Sequence, residues 1–134
     1  MPLNIFIQTN ESNLGEPLIP LQLNPIITQH FIDNYAGNIL ENQNGCDLNV
    51  IATATTKKGN DGSNDWGIFK SFADLHFSVL SCNSSQELFQ YSLNQIQGGD
   101  FNSHKNAGSQ AINNLATQLN KEIFPLMDKS FFQN

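Results

Sequence analysis

The chain has 134 residues, 39% of them hydrophobic, enough for one buried core and too few for two, so a single domain is expected. Twelve acidic residues against six basic ones give a net charge of -6, and every basic residue is Lys. Without Arg or clustered cations the chain has no means of neutralising a run of phosphates, which argues against nucleic acid and against an anionic membrane surface.

Charged residues make up only 13% of the chain, and its polarity comes from Asn, Gln, Ser and Thr. The abundance of Asn suggests an A/T-rich genome or an extracytoplasmic address, of which the envelope is the preferred reading, and because the apolar residues stay periodic it does not imply disorder. No apolar run reaches the roughly 18 residues of a spanning helix. Met1-Pro2-Leu3-Asn4 has neither the basic nor the apolar region of a signal peptide, so a signal segment is expected to be absent from this sequence.

In chain order, Leu3 to Thr9 alternates Leu3, Ile5 and Ile7 against Asn4, Phe6 and Gln8 and predicts a first strand. Two prolines, Pro17 and Pro20, break it. Asn24-Pro25 pairs a helix N-cap with Pro at the first helical position, and Ile27, Phe31, Tyr35 and Ile39 recur every fourth residue behind it. A helix over 25–41 follows, stopped near Asn44-Gly45. Leu48 to Thr56 predicts a second strand, and Lys57 to Gly67 a polar, Gly-rich loop.

Phe72 to Leu80 puts Leu75, Phe77 and Val79 on one face, and Phe89, Tyr91 and Leu93 match them after the turn Asn83 to Glu87. A hairpin centred on Ser85 sets Val79 opposite Tyr91 and Phe77 opposite Leu93. After Gly98-Gly99 a long helix is predicted over 104–127, with Ala111 or Ile112, then Leu115, Leu119, Ile123 and Leu126 on its apolar stripe. The tail 128–134 is expected to be loose, with Phe131 and Phe132 as residues able to dock. The order strand, helix, strand, strand, strand, helix implies an α+β fold: a two-layer α/β sandwich with a mainly antiparallel sheet of about four strands and two helices on one face.

Within that order, Asp47 to Ala54, Ala73 to Val79, Gly98-Gly99 and Ser103 through Ala111 and Ile112 resemble small bacterial envelope domains. The pattern is similar to the TolB amino-terminal domain, the curli-secretion lipoprotein, the penicillin-binding-protein activator lipoproteins and the flagellar assembly accessory proteins. A second resemblance in element order is to the lipopolysaccharide-assembly lipoprotein LptE. The chain departs from the pattern in showing no clear extra strand between the first helix and Asp47 and no lipidated Cys at its start. The resemblance implies a non-enzymatic role in binding an envelope protein in the periplasm or at the outer membrane, or alternatively in carrying a lipid.

Candidate chemistry is sparse. His30, His76 and His104 fall on three separate elements without metal-ligand spacing, and no cofactor loop is present. Asp74 and His76 share one strand face, but it is the face opposite Leu75 and Phe77 and is expected to meet solvent. The loop Asn60 to Gly67 carries oxygen ligands, yet a calcium loop begun at Asp61 would need Glu where Phe72 stands. Its more natural use is contact with a partner, through Asp61, Asn64, Asp65 and Trp66, because an exposed Trp is costly unless docked or used. No Gly-x-Ser-x-Gly elbow occurs, so an enzyme is not expected.

Cys46 and Cys82 would oppose each other only if paired positions summed to 128, a register that turns Val50 and Ala52 away from the core. An odd sum such as 127, with Val50 opposite Phe77, keeps the core intact and predicts two free thiols, with a bulge near Cys46 as the one escape.

Overall fold

The computed structural model describes residues 3–59 and 67–132. It forms a two-layer α/β structure with an open, mixed and mostly antiparallel sheet, in the strand order β2-β1-β4-β5-β6. The strands are β1 (Asn4–Asn13), β2 (Glu16–Pro17), β3 (Asn38–Leu40), β4 (Leu48–Lys58), β5 (Phe69–Ser81) and β6 (Glu87–Asp100). The helices are α1 (Asn24–Tyr35) and α2 (His104–Gln118), the latter continuing through a π turn (Leu119–Ile123) into α3 (Phe124–Phe132).

β1 pairs parallel with β4, setting Ile5 against Leu48 and Ile7 against Val50. Alternation puts Ile5, Val50, Ala52, Ala54, Leu75, Phe77, Val79 and Leu93 on the face that meets Ile27, Phe31, Leu115, Leu119 and Ile123, forming one core. Small Ala side chains at the centre of β4 let the large Phe77, opposite Ala52, fill the layer beneath the helices.

Several expectations need correction. The hairpin pairs Phe77 with Tyr91 and Val79 with Phe89, two residues from the expected register. A two-residue slip keeps every side chain on its face, so the apolar pattern does not discriminate between the two pairings. The shift is set by the connection: Ser81 N–H donates to Gln86 O (2.8 Å) and Ser85 N–H to Ser81 O (2.8 Å), with Ser85 at φ 58°. Similarly, β4 and β5 pair with a sum of 129, Val50 opposite Val79.

The first helix ends at Tyr35, not near residue 41, because Ala36 turns left-handed at φ 51° and Gly37 N–H closes on Phe31 O (3.1 Å). The chain then forms the strand that the sequence did not announce: Asn38, Ile39 and Leu40 pair parallel with Asn4, Ile5 and Phe6. The expected departure from the envelope-domain pattern between the first helix and Asp47 is thereby removed.

The long helix carries an extra residue at its π turn, which rotates the stripe by one position. Met127 is therefore buried and Leu126 is 43% exposed, the reverse of the expected stripe. Helix continues to Phe132, and Asp128 and Phe131 are packed, so residues 128–132 are not a loose tail.

Cys46 and Cys82 are joined in a disulfide, against the expectation of two free thiols. The parity argument applies only inside strands. β4 begins at Leu48 and β5 ends at Ser81, so both cysteines stand just past the strand ends, and Cys82 N–H bonds Asp47 O (3.0 Å).

Candidate functional site

The sheet has two ends of different character. At one, the start of β4 and the end of β5 are stapled by the disulfide, beside a cleft of about 190 Å³ lined by Gln43, Asn49, Leu80, Ser81 and Ser85. α1 and α3 close the inner side of this region. Tyr35 donates to Asp128 Oδ1 (2.7 Å), His30 Nε2 lies 3.0 Å from the same oxygen, and the His30 ring stacks on Phe124 at 4.0 Å. Burial first, then the hydrogen bond to Asp128 and its negative charge, hold the Tyr35 phenol far above its ordinary value.

An Asp–His pair invites a catalytic reading, but the other ring nitrogen of His30 faces the amide of Asn34 (3.2 Å) rather than a hydroxyl or thiol nucleophile. The pair acts as a clasp between helices. His76 is held by Ser92 (2.8 Å) and Ser78 (3.1 Å) on the outer sheet face. Asp74 accepts Gln95 N–H (2.9 Å) at a bulge where Gln95 has φ 60°, so Asp74 and His76 serve the strand rather than each other. His104 bonds Lys70 O through Nδ1 (3.0 Å).

The other end gathers the segment between β1 and α1, the end of β4, the start of β5 and the turn 101–103 that leads into α2. Here the inward face of β1 turns polar. Glu11, 3% exposed, accepts N–H groups from Gln22 (2.8 Å), Leu23 (2.8 Å) and Asn24 (3.0 Å), so a carboxylate from β1, and not the side chain of Asn24, satisfies the start of α1.

Asn13, 4% exposed, donates to Lys105 O (2.8 Å) and accepts from Thr56 Oγ1 (2.6 Å), while Thr56 Oγ1 accepts Leu14 N–H (2.8 Å). This network ties β1, β4 and the first turn of α2 together. A side chain at Gly108 would overlap Asn13, and one at Gly98 would run into the backbone of Ala107 and Ala111, so both glycines are set by close approach.

Outside this polar frame lies a cleft of about 260 Å³ between Glu16–Gln22 and α2, lined by Asn13, Pro17, Ile19, Pro20, Lys105 and Ser109. Ile19 at its rim is 91% exposed, and Phe101 in the turn before α2 is 69% exposed. Two large apolar side chains held out at one end of the sheet, flanking the start of α2, make this end the candidate site for a macromolecular contact. The expected partner-binding residues Asp61, Asn64, Asp65 and Trp66 lie outside the described residues, within the link between Lys58 and Phe69.

Sequence reading missed Ile19 and Phe101. The signal was available as Pro-Leu-Ile-Pro, an apolar segment that its prolines keep out of any central strand.

Among solved structures the chain is similar in fold to lipoprotein GNA1162 from Neisseria meningitidis, at 12% identity and a TM-score of 0.50, covering 90% of this chain and 100% of that one. It is also similar to the hypothetical protein CT253 from Chlamydia trachomatis, at 12% identity and a TM-score of 0.53, covering 98% and 99%. At that identity the likeness is one of architecture. No family model and no curated protein matches the sequence.

Proposed function

We propose that this chain is a non-enzymatic binding or assembly-accessory domain of the bacterial cell envelope, acting through protein–protein contacts made by the loop end of its sheet. The observation that carries the reading is the outward projection of Ile19 and Phe101 from a rigid, hydrogen-bonded frame, since anchors of this kind supply most of the energy at small interfaces. The extracytoplasmic address is supported by the Cys46–Cys82 disulfide, which persists where thiols are oxidised. It is further supported by the fold shared with a lipoprotein. Among the described residues no helix is long and apolar enough to cross a membrane.

The lipid-carrier alternative calls for an apolar groove between sheet and helices. That layer is instead filled by Phe31, Phe77, Leu115 and Leu119, with α2 in backbone contact at Gly98, and both clefts named above lie at the ends of the sheet.

The test compares the full chain with a variant carrying Ile19→Ser and Phe101→Ser as immobilised bait for the solubilised envelope fraction of the source cell. The expected result is one stoichiometric protein retained by the parent chain and lost by the variant, with the two melting curves superimposed. Equal retention by both would remove the loop end from the reading, and no stoichiometric protein on either would remove the envelope partner.

A further inference from the structure

The loop that joins β3 to β4 contains Asn44 followed by Gly45, the one Asn-Gly step in the chain. Its backbone is held: Asn44 N–H donates to Asn42 Oδ1 (2.9 Å), and Gly45 O accepts from Asn4 Nδ2 (3.3 Å). The two groups that could react with each other are left open. Both residues are exposed, and among the described residues the Asn44 side-chain amide has no hydrogen-bond partner and the Gly45 N–H no acceptor. Gly45 has φ 77°, and nothing lies within 4 Å of the place a Cβ would occupy. The Gly45 nitrogen is thus tethered within ring-closing reach of Asn44 Cγ, with no side chain of its own in the way.

Other asparagines are shielded from the same reaction. Asn24 precedes Pro25, which has no N–H to lose. The N–H groups that follow Asn13, Asn94, Asn102 and Asn106 are donated to Thr56 Oγ1 (2.8 Å), Asp74 Oδ1 (2.9 Å), Asp100 Oδ2 (3.2 Å) and Ser103 O (3.1 Å). Asparagines inside helices and strands are held by regular backbone. The nearest rivals are Asn42 and Asn83, both outside regular structure, but Gln43 and Ser84 each set a Cβ beside the attacking nitrogen.

We propose that Asn44 is a site of spontaneous covalent modification. The Gly45 nitrogen gives up its proton and attacks Asn44 Cγ, the Cγ–Nδ2 bond breaks, and ammonia leaves carrying that proton, which closes a succinimide ring. Water then opens the ring at either carbonyl and leaves aspartate or isoaspartate at position 44, without oxidant, metal or enzyme. The product carries one negative charge more than the -6 of the chain as synthesised, next to the cleft that Gln43 and Cys46 line. Isoaspartate also lengthens the backbone by one carbon. The exposed loop takes up that length, because Cys46 stays bonded to Cys82 and Asp47 N–H to Asn4 O (2.6 Å) on its far side.

The test incubates the purified full chain in mildly alkaline buffer made with heavy-oxygen water, beside the same chain unfolded in urea with its disulfide intact. Isoelectric focusing of the folded chain should show one more acidic band, growing faster as pH rises and matched by released ammonia. Peptide mapping should place the heavy oxygen at position 44, at a rate within about tenfold of that in the unfolded chain, and the modified protein should keep its melting curve. Asn44→Gln should abolish the band, since the longer side chain closes its ring poorly, whereas Asn83→Gln should leave it in place. A folded chain that stays unmodified, whether or not the unfolded one converts, overturns the proposal. So does heavy oxygen that enters first at another asparagine, or an acidic band that survives Asn44→Gln.

Discussion

The two ends of the sheet solve the same problem, holding strands and helices in register, by different means. The stapled end relies on a covalent bond and on an aromatic clasp between α1 and α3. The loop end relies on buried carboxylate, amide and hydroxyl groups that accept and donate to backbone. The difference teaches where each end is free to vary. A staple and a ring stack fix the chain regardless of what surrounds them, while a hydrogen-bonded frame directs its stability inward and leaves its outer loops without a structural task.

Removing the staple should have the largest effect. Cys46→Ser with Cys82→Ser opens a loop of sequence separation 36 and should cost about 4 kcal/mol in urea unfolding, by the chain-entropy account. A cost below about 1 kcal/mol would show that the clasp alone holds that end.

At the loop end, Glu11→Ala leaves three N–H groups at the start of α1 without their acceptor and should cost about 3 kcal/mol. Hydrogen exchange at Gln22, Leu23 and Asn24 should accelerate in that variant before exchange in β5 does. Uniform acceleration would mean that the two ends are one cooperative unit and differ only in geometry.

Smaller again is the clasp. Tyr35→Phe removes one hydrogen bond to Asp128 and should cost about 1 kcal/mol at neutral pH. Its pH dependence is more telling. The phenol is raised in the folded state, so its contribution is fully present below the ordinary tyrosine value of about 10 and is lost as pH rises beyond it, where the unfolded chain ionises first. The chain has two tyrosines, and Tyr91 is raised as well, by its hydrogen bond to Glu122 (2.7 Å). The Tyr35 share of the phenolate absorbance should therefore appear with unfolding, and Tyr35→Phe should flatten the alkaline loss of stability. The smallest expected effect is that of Ile19→Ser with Phe101→Ser, within about 0.5 kcal/mol of the parent chain, since neither side chain is buried.

What the sequence disclosed follows from which rules are local. Alternation in Leu75, Phe77 and Val79 and the four-residue recurrence of Ile27, Phe31 and Tyr35 report burial directly, and the two-layer fold follows from them. Register does not, because slips of two residues preserve every face. Phe77 therefore meets Tyr91 where the turn decides, and the same blindness hid the disulfide, whose cysteines lie beyond the strands. β3 escaped because three residues after a helix carry no pattern of their own, and its pairing exists only once β1 is in place. Glu11 was invisible as a cap because its partners are 11 to 13 residues away, outside the range of any capping motif. The polar character of the loop end was legible as composition and Pro-Leu-Ile-Pro marked Ile19, whereas the exposure of Phe101 needed coordinates.

The parallel pairing of β1 with β4 has a consequence for the order of assembly. From Leu48 onward each strand pairs with the next in sequence, and α2 packs back on the two that precede it, so this part closes through short loops. β1 instead meets β4 across some 43 residues, from Ile5 to Leu48, and must pay a larger closure entropy before any ladder bond rewards it. β1 is therefore expected to seat after the meander of β4, β5 and β6 has formed, carrying Glu11 and Asn13 into place. Until it arrives, the edge of β4 is open to any other strand in the vicinity.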